Sequence, residues 1–148
     1  MSENIHWLVR RQRVLVVDDD PIFTGLAAAC LARAGFDVAT AADGVEGLEL
    51  LDSGGFDIAL VDLTMPHIDG LRLIALVRGS ARLHHLAIVV VSARHDEDAF
   101  REALAIGADA VETKPISWAE LPERLRSAIA GRHTAMAGSS GTVVQSSA

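Results

Sequence analysis

From Arg13 to Ala130 two kinds of segment alternate: short β-branched runs that end in a polar residue, then longer stretches with apolar residues at helical spacing. The runs are VLVVD (14–18), FDVATA (36–41), DIALVD (57–62), AIVVVS (87–92) and ADAVET (108–113). Five strand-helix units in succession predict the α/β class. Three of the runs are apolar almost throughout, as strands are when both faces are buried, so the expected architecture is a five-stranded parallel sheet, doubly wound, with helices on each side.

The intervening stretches carry helix punctuation. Asp20 before Pro21 is an N-cap followed by a first-turn proline, predicting a helix from Pro21 to about Ala34, with Gly35 as its stop and Leu26, Ala29, Cys30 and Arg33 setting its spacing. Asp43 is placed to cap a second helix with Val45, Leu48 and Leu51 on the inner face, ended by Gly54 and Gly55. Asp69 opens a third in the same way. A fourth, starting near His95 or Asp96, carries Phe100, Ala103 and Leu104 and stops at Gly107. The fifth begins with Ser117 and Glu120 at capping-box spacing and has Leu121, Leu125, Ala128 and Ile129 as apolar positions. Pro122 predicts a kink or a later start there, because it removes a backbone donor and crowds the preceding turn. From Gly131 onward the residues become small and polar, ending GSSGTVVQSSA, a composition that predicts a disordered tail. The expected organisation is therefore an N-terminal extension (1–12), one folded domain (13–130) and a tail (131–148).

Composition narrows the class further. A chain of 148 residues, 50% hydrophobic and 22% charged, supports one hydrophobic core rather than two. Cys30 has no internal disulfide partner, and its neighbours Ala27, Ala28, Ala29 and Leu31 suggest a small buried side chain in a reducing compartment. No apolar run approaches the roughly 20 residues of a membrane helix, and MSENIHWLVRRQR has no hydrophobic export region, so a cytoplasmic protein without membrane insertion is expected. The formal charge of −7 argues against nucleic-acid binding. Arg10, Arg11 and Arg13 cluster, but read as a solvated terminus.

In an open parallel sheet, side chains that act together lie just beyond the carboxyl ends of the strands. Here those ends carry Asp18, Asp19 and Asp20 on the first strand, Asp62 on the third, Ser92 on the fourth and Lys114 after the fifth. Crowded carboxylates repel each other and gain protons unless a cation offsets them. Mg²⁺ is the simple remedy, since it takes oxygen ligands and is commonly shared between one or two carboxylates and a phosphate. With Mg²⁺ held by Asp19 and Asp62, and by Asp18 through water, Asp62 can approach an anionic phosphoryl group and form an aspartyl phosphate. Lys114 can pair with a phosphoryl oxygen or, beforehand, with Asp62, and the Ser92 hydroxyl can donate to another oxygen.

These segments, VLVVDDDP, DIALVDLTMPHIDG, VVVSA and TKP, resemble the four signature segments of bacterial response-regulator receiver domains, in that family's order and separations, over about Arg13 to Ala130. The resemblance implies a flavodoxin-like (βα)5 fold of the stand-alone, chemotaxis-regulator kind and a phosphoacceptor switch rather than an enzyme. It implies an acidic metal pair at Asp18 and Asp19, the phosphoacceptor at Asp62, a Thr64 backbone carbonyl on Mg²⁺, a switch hydroxyl at Ser92, a lysine at Lys114 and a cis bond between Lys114 and Pro115. Thr64 and Arg94 occupy the positions that tune phosphoryl lifetime in receivers. One position departs from the family pattern: three residues before the lysine, where Tyr or Phe often acts as a rotamer switch, this chain has Val111.

The implied partners are a histidine kinase or phosphotransfer protein upstream and a protein target downstream, with the chain a monomer or weak dimer. Only 18 residues follow Ala130, too few for a helix-turn-helix output domain. Two rivals remain. Asp18 and Asp20, followed by Ser92 and Lys114, also look like the opening motifs of haloacid-dehalogenase-type phosphohydrolases, although the later acidic motif would have to come from Glu112, Glu120 or Glu123. Alternatively the fold persists as a non-phosphorylated interaction module. His84 and His85 lack further ligands at metal spacing, His67 and His95 read as loop residues near the site, and Trp118, beside Val111, reads as a packed core aromatic.

Overall fold

The computed structural model describes residues 10–65, 68–93 and 97–146, with side chains as far as 137. Strands β1 (Arg13–Val17), β2 (Asp37–Ala41), β3 (Ile58–Asp62), β4 (Ala87–Ser92) and β5 (Ala110–Thr113) alternate with helices α1 (Pro21–Arg33), α2 (Gly44–Asp52), α3 (Gly70–Arg78), α4 (Glu97–Ile106) and α5 (Leu121–Ser146). All strand pairs are parallel, in the order β2-β1-β3-β4-β5. The order reverses direction between β1 and β3, which opens a crevice at their carboxyl ends.

Successive side chains of a strand point to opposite faces, and the core divides accordingly. Val14, Val16, Ile58, Leu60, Val89 and Val91 pack with Phe23, Ala27 and Leu31 of α1 and with Leu121, Leu125 and Ile129 of α5. Leu15, Val17, Ala59, Val61, Ile88 and Val90 face the other way, against Leu51 of α2, Leu73, Ile74 and Val77 of α3, and Ala103 of α4. The three central strands β1, β3 and β4 are therefore buried on both sides, as their near-continuous apolarity predicts, while the edge strands β2 and β5 are only partly buried.

The helix caps fall where the sequence places them. Asp20, Asp43 and Asp69 accept from the backbone N–H groups of Ile22, Glu46 and Arg72. The buried faces differ from expectation in three helices. In α4 Ala103 is buried, whereas Leu104 is 49% exposed. In α1 the buried residues are Phe23, Ala27 and Leu31, while Leu26 is 52% exposed; this helix is apolar around most of its circumference, so spacing alone does not select a face. In α2 they are Gly44, Gly47 and Leu51, and Val45 is exposed. Gly47 lies against Val17, where a Cβ would come within 3.1 Å of that side chain, so the absence of a side chain is what lets α2 approach β1.

At α5 the proline question resolves as a later start. Residues 118–120 form a turn, the Glu120 N–H donates to Ser117 Oγ, and Pro122 sits in the first helical turn, where no intrahelical donor is lost. The far end corrects the expectation of a disordered tail from 131: the helix runs on to Ser146. Ala135, Met136 and Ala137 are good helix formers, and Arg132 ties the segment to the domain by donating to the His84 carbonyl at 2.7 Å and facing Asp109 at 3.7 Å.

Two arginine clamps hold the opposite edge of the sheet. Arg10 pairs with Asp57 at 2.8 Å, while Arg13 donates its backbone N–H to Asp57, reaches Asp37 and Gly54, and lays its guanidinium over the Phe56 ring. Arg13 is thus a packed residue rather than part of a solvated terminus. Arg78, mostly buried, donates to the carbonyls of Gly107, His84 and Leu86 and pairs with Asp109 at 3.0 Å.

Candidate phosphoacceptor site

The parallel register assembles the site. Val17 pairs with Val61, so the next residue on each strand, Asp18 and Asp62, stand side by side across the crevice. Asp62 in turn pairs with Val91 of β4, and Ser92 with Thr113 of β5, which brings Lys114 to the same edge. The Lys114 backbone N–H donates to the Ser92 carbonyl at 2.9 Å, and the Lys114–Pro115 bond is cis.

Each side chain has a distinct environment. Asp18 is 2% exposed and fully engaged: Oδ1 accepts from the Asp20 N–H at 2.9 Å and Oδ2 accepts from Lys114 Nζ at 2.7 Å. Lys114 therefore rests on Asp18 rather than on Asp62. Asp19 is exposed at the mouth of the crevice. Asp62, 8% exposed, accepts from the Thr64 N–H at 3.2 Å. Burial pushes its pKa up from the ordinary 3.8 to about 6; the Thr64 hydrogen bond opposes this, the Asp18 charge reinforces it, Lys114 opposes it and Asp19 adds to it. Ser92 is buried at the end of β4.

One carboxylate oxygen from each of Asp18, Asp19 and Asp62 lies within 4.8 Å of the others. That donor set is hard and anionic, three carboxylates beside the single ammonium of Lys114, so the residues fit a small divalent cation such as Mg²⁺. Gly70 is a participant that sequence reasoning missed. A Cβ there would run into the Asp62 carbonyl and the Leu63 Cα, so only glycine lets α3 begin directly against the end of β3; the Asp-Gly pair reads equally well as a simple cap. His67, Arg94 and His95 lie outside the described residues. His84 and His85 stand at 6.4 Å between ring centroids, apart from the carboxylate group. Val111 is half-buried against the α2-α3-α4 layer.

A family model for the response regulator receiver domain matches residues 14–126. The chain belongs to the response-regulator receiver family. This receiver domain is 38% identical over 114 residues to the transcriptional regulatory protein TrcR of Mycobacterium tuberculosis, covering 77% of this chain and 44% of that protein. It is 33% identical over 114 residues to the chemotaxis protein CheY of Pseudomonas aeruginosa, covering 76% and 92%. Among solved structures, a CheY-like response regulator receiver domain protein from Methanospirillum hungatei superposes with a TM-score of 0.78 at 25% identity, covering 84% of this chain and 98% of that one. The fold is thus the flavodoxin-like (βα)5 arrangement of CheY. The chain spans about half the length of the transcriptional regulators it matches.

The phosphohydrolase rival finds no support in the family match or in the geometry of this receiver. Asp20 is spent on capping α1. Glu112 and Glu120 both face Arg124, and Glu123 faces Arg126, so none of the three supplies the later acidic motif.

Proposed function

We propose that residues 13–130 form the receiver unit of a two-component phosphorelay and that Asp62 accepts a phosphoryl group from the phosphohistidine of a histidine kinase or phosphotransfer protein. The observation that supports this most directly is the side-by-side placement of Asp18 and Asp62 with Lys114 2.7 Å from Asp18. Asp18, Asp19, Asp62 and the Thr64 carbonyl would hold Mg²⁺, which supplies charge neutralisation between the carboxylates and the incoming phosphoryl oxygens.

An Asp62 oxygen attacks phosphorus, the bond from phosphorus to the donor nitrogen breaks, and the nitrogen keeps that electron pair. The product is an aspartyl phosphate. Lys114 then exchanges one Asp18 oxygen for a phosphoryl oxygen, a short movement because it already lies at the edge of the site. Ser92 donates its hydroxyl to another phosphoryl oxygen. With Val111 in place of an aromatic, the signal passes to α4, β5 and α5 by backbone displacement of the β4 and β5 ends rather than by a ring flip. Output is by protein contact, in line with an acidic chain of charge −7, and the receiver works in the cytoplasm as a monomer or weak dimer. Among the described residues no helix is long and apolar enough to cross a membrane.

The deciding experiment incubates the protein with Mg²⁺ and acetyl phosphate and locates the added phosphoryl group by mass spectrometry. Wild type is expected to carry it on Asp62 and Asp62→Asn to carry none. Retention of label in the variant removes the assignment.

A further inference from the structure

Lys114 has a second neighbour that the reaction scheme leaves unused. Its ammonium lies 4.1 Å from the centroid of the Phe23 ring while contacting Asp18 at 2.7 Å. The Lys114 side chain is 18% exposed and Phe23 is 8% exposed, so the contact is largely withdrawn from water, where the attraction between a cation and a ring face is strongest. The ring cannot turn freely. Phe23 belongs to the first turn of α1, whose start is fixed by the Asp20 cap, and its ring also packs against Trp118 at 5.5 Å between centroids, tilted by 42°. The Trp118 carbonyl is itself contacted by Cys30 of the same helix at 3.2 Å. The same two rings, with Ala93, Pro115, Ile116 and Lys114, wall a mainly apolar cavity of about 370 Å³ beside the site.

From this geometry we infer that Phe23, braced by Trp118, is a positioning residue that holds the Lys114 ammonium through its ring face as the lysine passes from Asp18 to the phosphoryl group on Asp62. The inference rests on the phosphoacceptor reading. An ammonium leaving a carboxylate would otherwise be caught by water or by Asp62 itself. A neutral ring face keeps it partly compensated without competing for the phosphoryl oxygens, and it fixes the point about which the side chain swings.

The test replaces Phe23 with mono-, di- and trifluorinated phenylalanine, which weakens the ring's negative face with little change of shape. The readouts are the initial rate of Asp62 labelling by acetyl phosphate in saturating Mg²⁺ and the unfolding midpoint. The rate is expected to fall stepwise with each fluorine while the protein stays folded at the assay temperature, with the midpoint reporting how much of the resting contact each fluorine removes. Phe23→Leu should lose roughly threefold to thirtyfold, the range expected of a desolvated cation-ring contact, and Phe23→Tyr should restore most of it. A rate that is flat across the fluorinated series, or a folded Phe23→Leu protein that labels at the wild-type rate, overturns the positioning role. Wild type that takes no label on Asp62 overturns the underlying reading instead.

Discussion

At the scale of single residues, the resting site buries the Asp62 carboxylate beside the Asp18 charge, and this has a measurable cost. Asp62 titrates at about 6 in the folded protein against an ordinary 3.8, so between those values the folded state binds the extra proton. Stability contributed by that proton is full below pH 4 and is lost as pH rises through 6. Asp62→Asn should therefore stabilise the Mg²⁺-free protein at pH 8, by on the order of 2 to 3 kcal/mol, with the gain fading toward pH 4; denaturant melts at the two pH values check this. The opposite holds for Lys114→Met. It strands the buried Asp18 carboxylate and is expected to cost about 3 kcal/mol without metal and less in millimolar Mg²⁺, measured the same way. A metal-independent loss would mean that Asp18 is not shared with the cation.

Elements place those residues, and here sequence and structure can be compared piece by piece. The strands are legible because a run such as VLVVD or AIVVVS has no other comfortable home, and their polar last residues identify the active edge. Helix starts are legible because Asp20, Asp43 and Asp69 each bring a backbone-accepting carboxylate to a first turn. Helix faces are less so: Leu26 and Val45 look inward by spacing, yet tight packing of Gly47 on Val17 and the nearly uniform apolarity of α1 decide otherwise. Long-range partners are not legible at all. Nothing local in the sequence links Lys114 to Asp18 before Asp62, Arg78 to Asp109, or Arg132 to the His84 carbonyl. Two variants probe this level. Gly70→Ala should destabilise by at least about 2 kcal/mol and slow labelling, because α3 must withdraw from the Asp62 carbonyl. Arg78→Met should cost about 3 kcal/mol with labelling intact per folded molecule, since three carbonyls and Asp109 lose their donor far from the site.

On the scale of the whole molecule, the two helical layers are loaded differently. α1 and α5 pack on one face and α2, α3 and α4 on the other, and the carboxylates and Lys114 sit at the edge where the layers part. Mg²⁺ at ten times its dissociation constant should raise stability by about 1.4 kcal/mol at pH 8 and by less at pH 5, where a proton on Asp62 competes for the same oxygens; thermal melts with and without EDTA read this directly. The in-phase pairing of β1 with β3, and of β4 with β5, has a further consequence for how such a chain can change over generations. Inserting one residue inside β3 would rotate Asp62 out of the crevice and into a helical layer. Adding several residues to the connections at the other end of the strands would leave every chemically important spacing as it was. Insertions at the edge that does no chemistry would thus be the ones this architecture tolerates best.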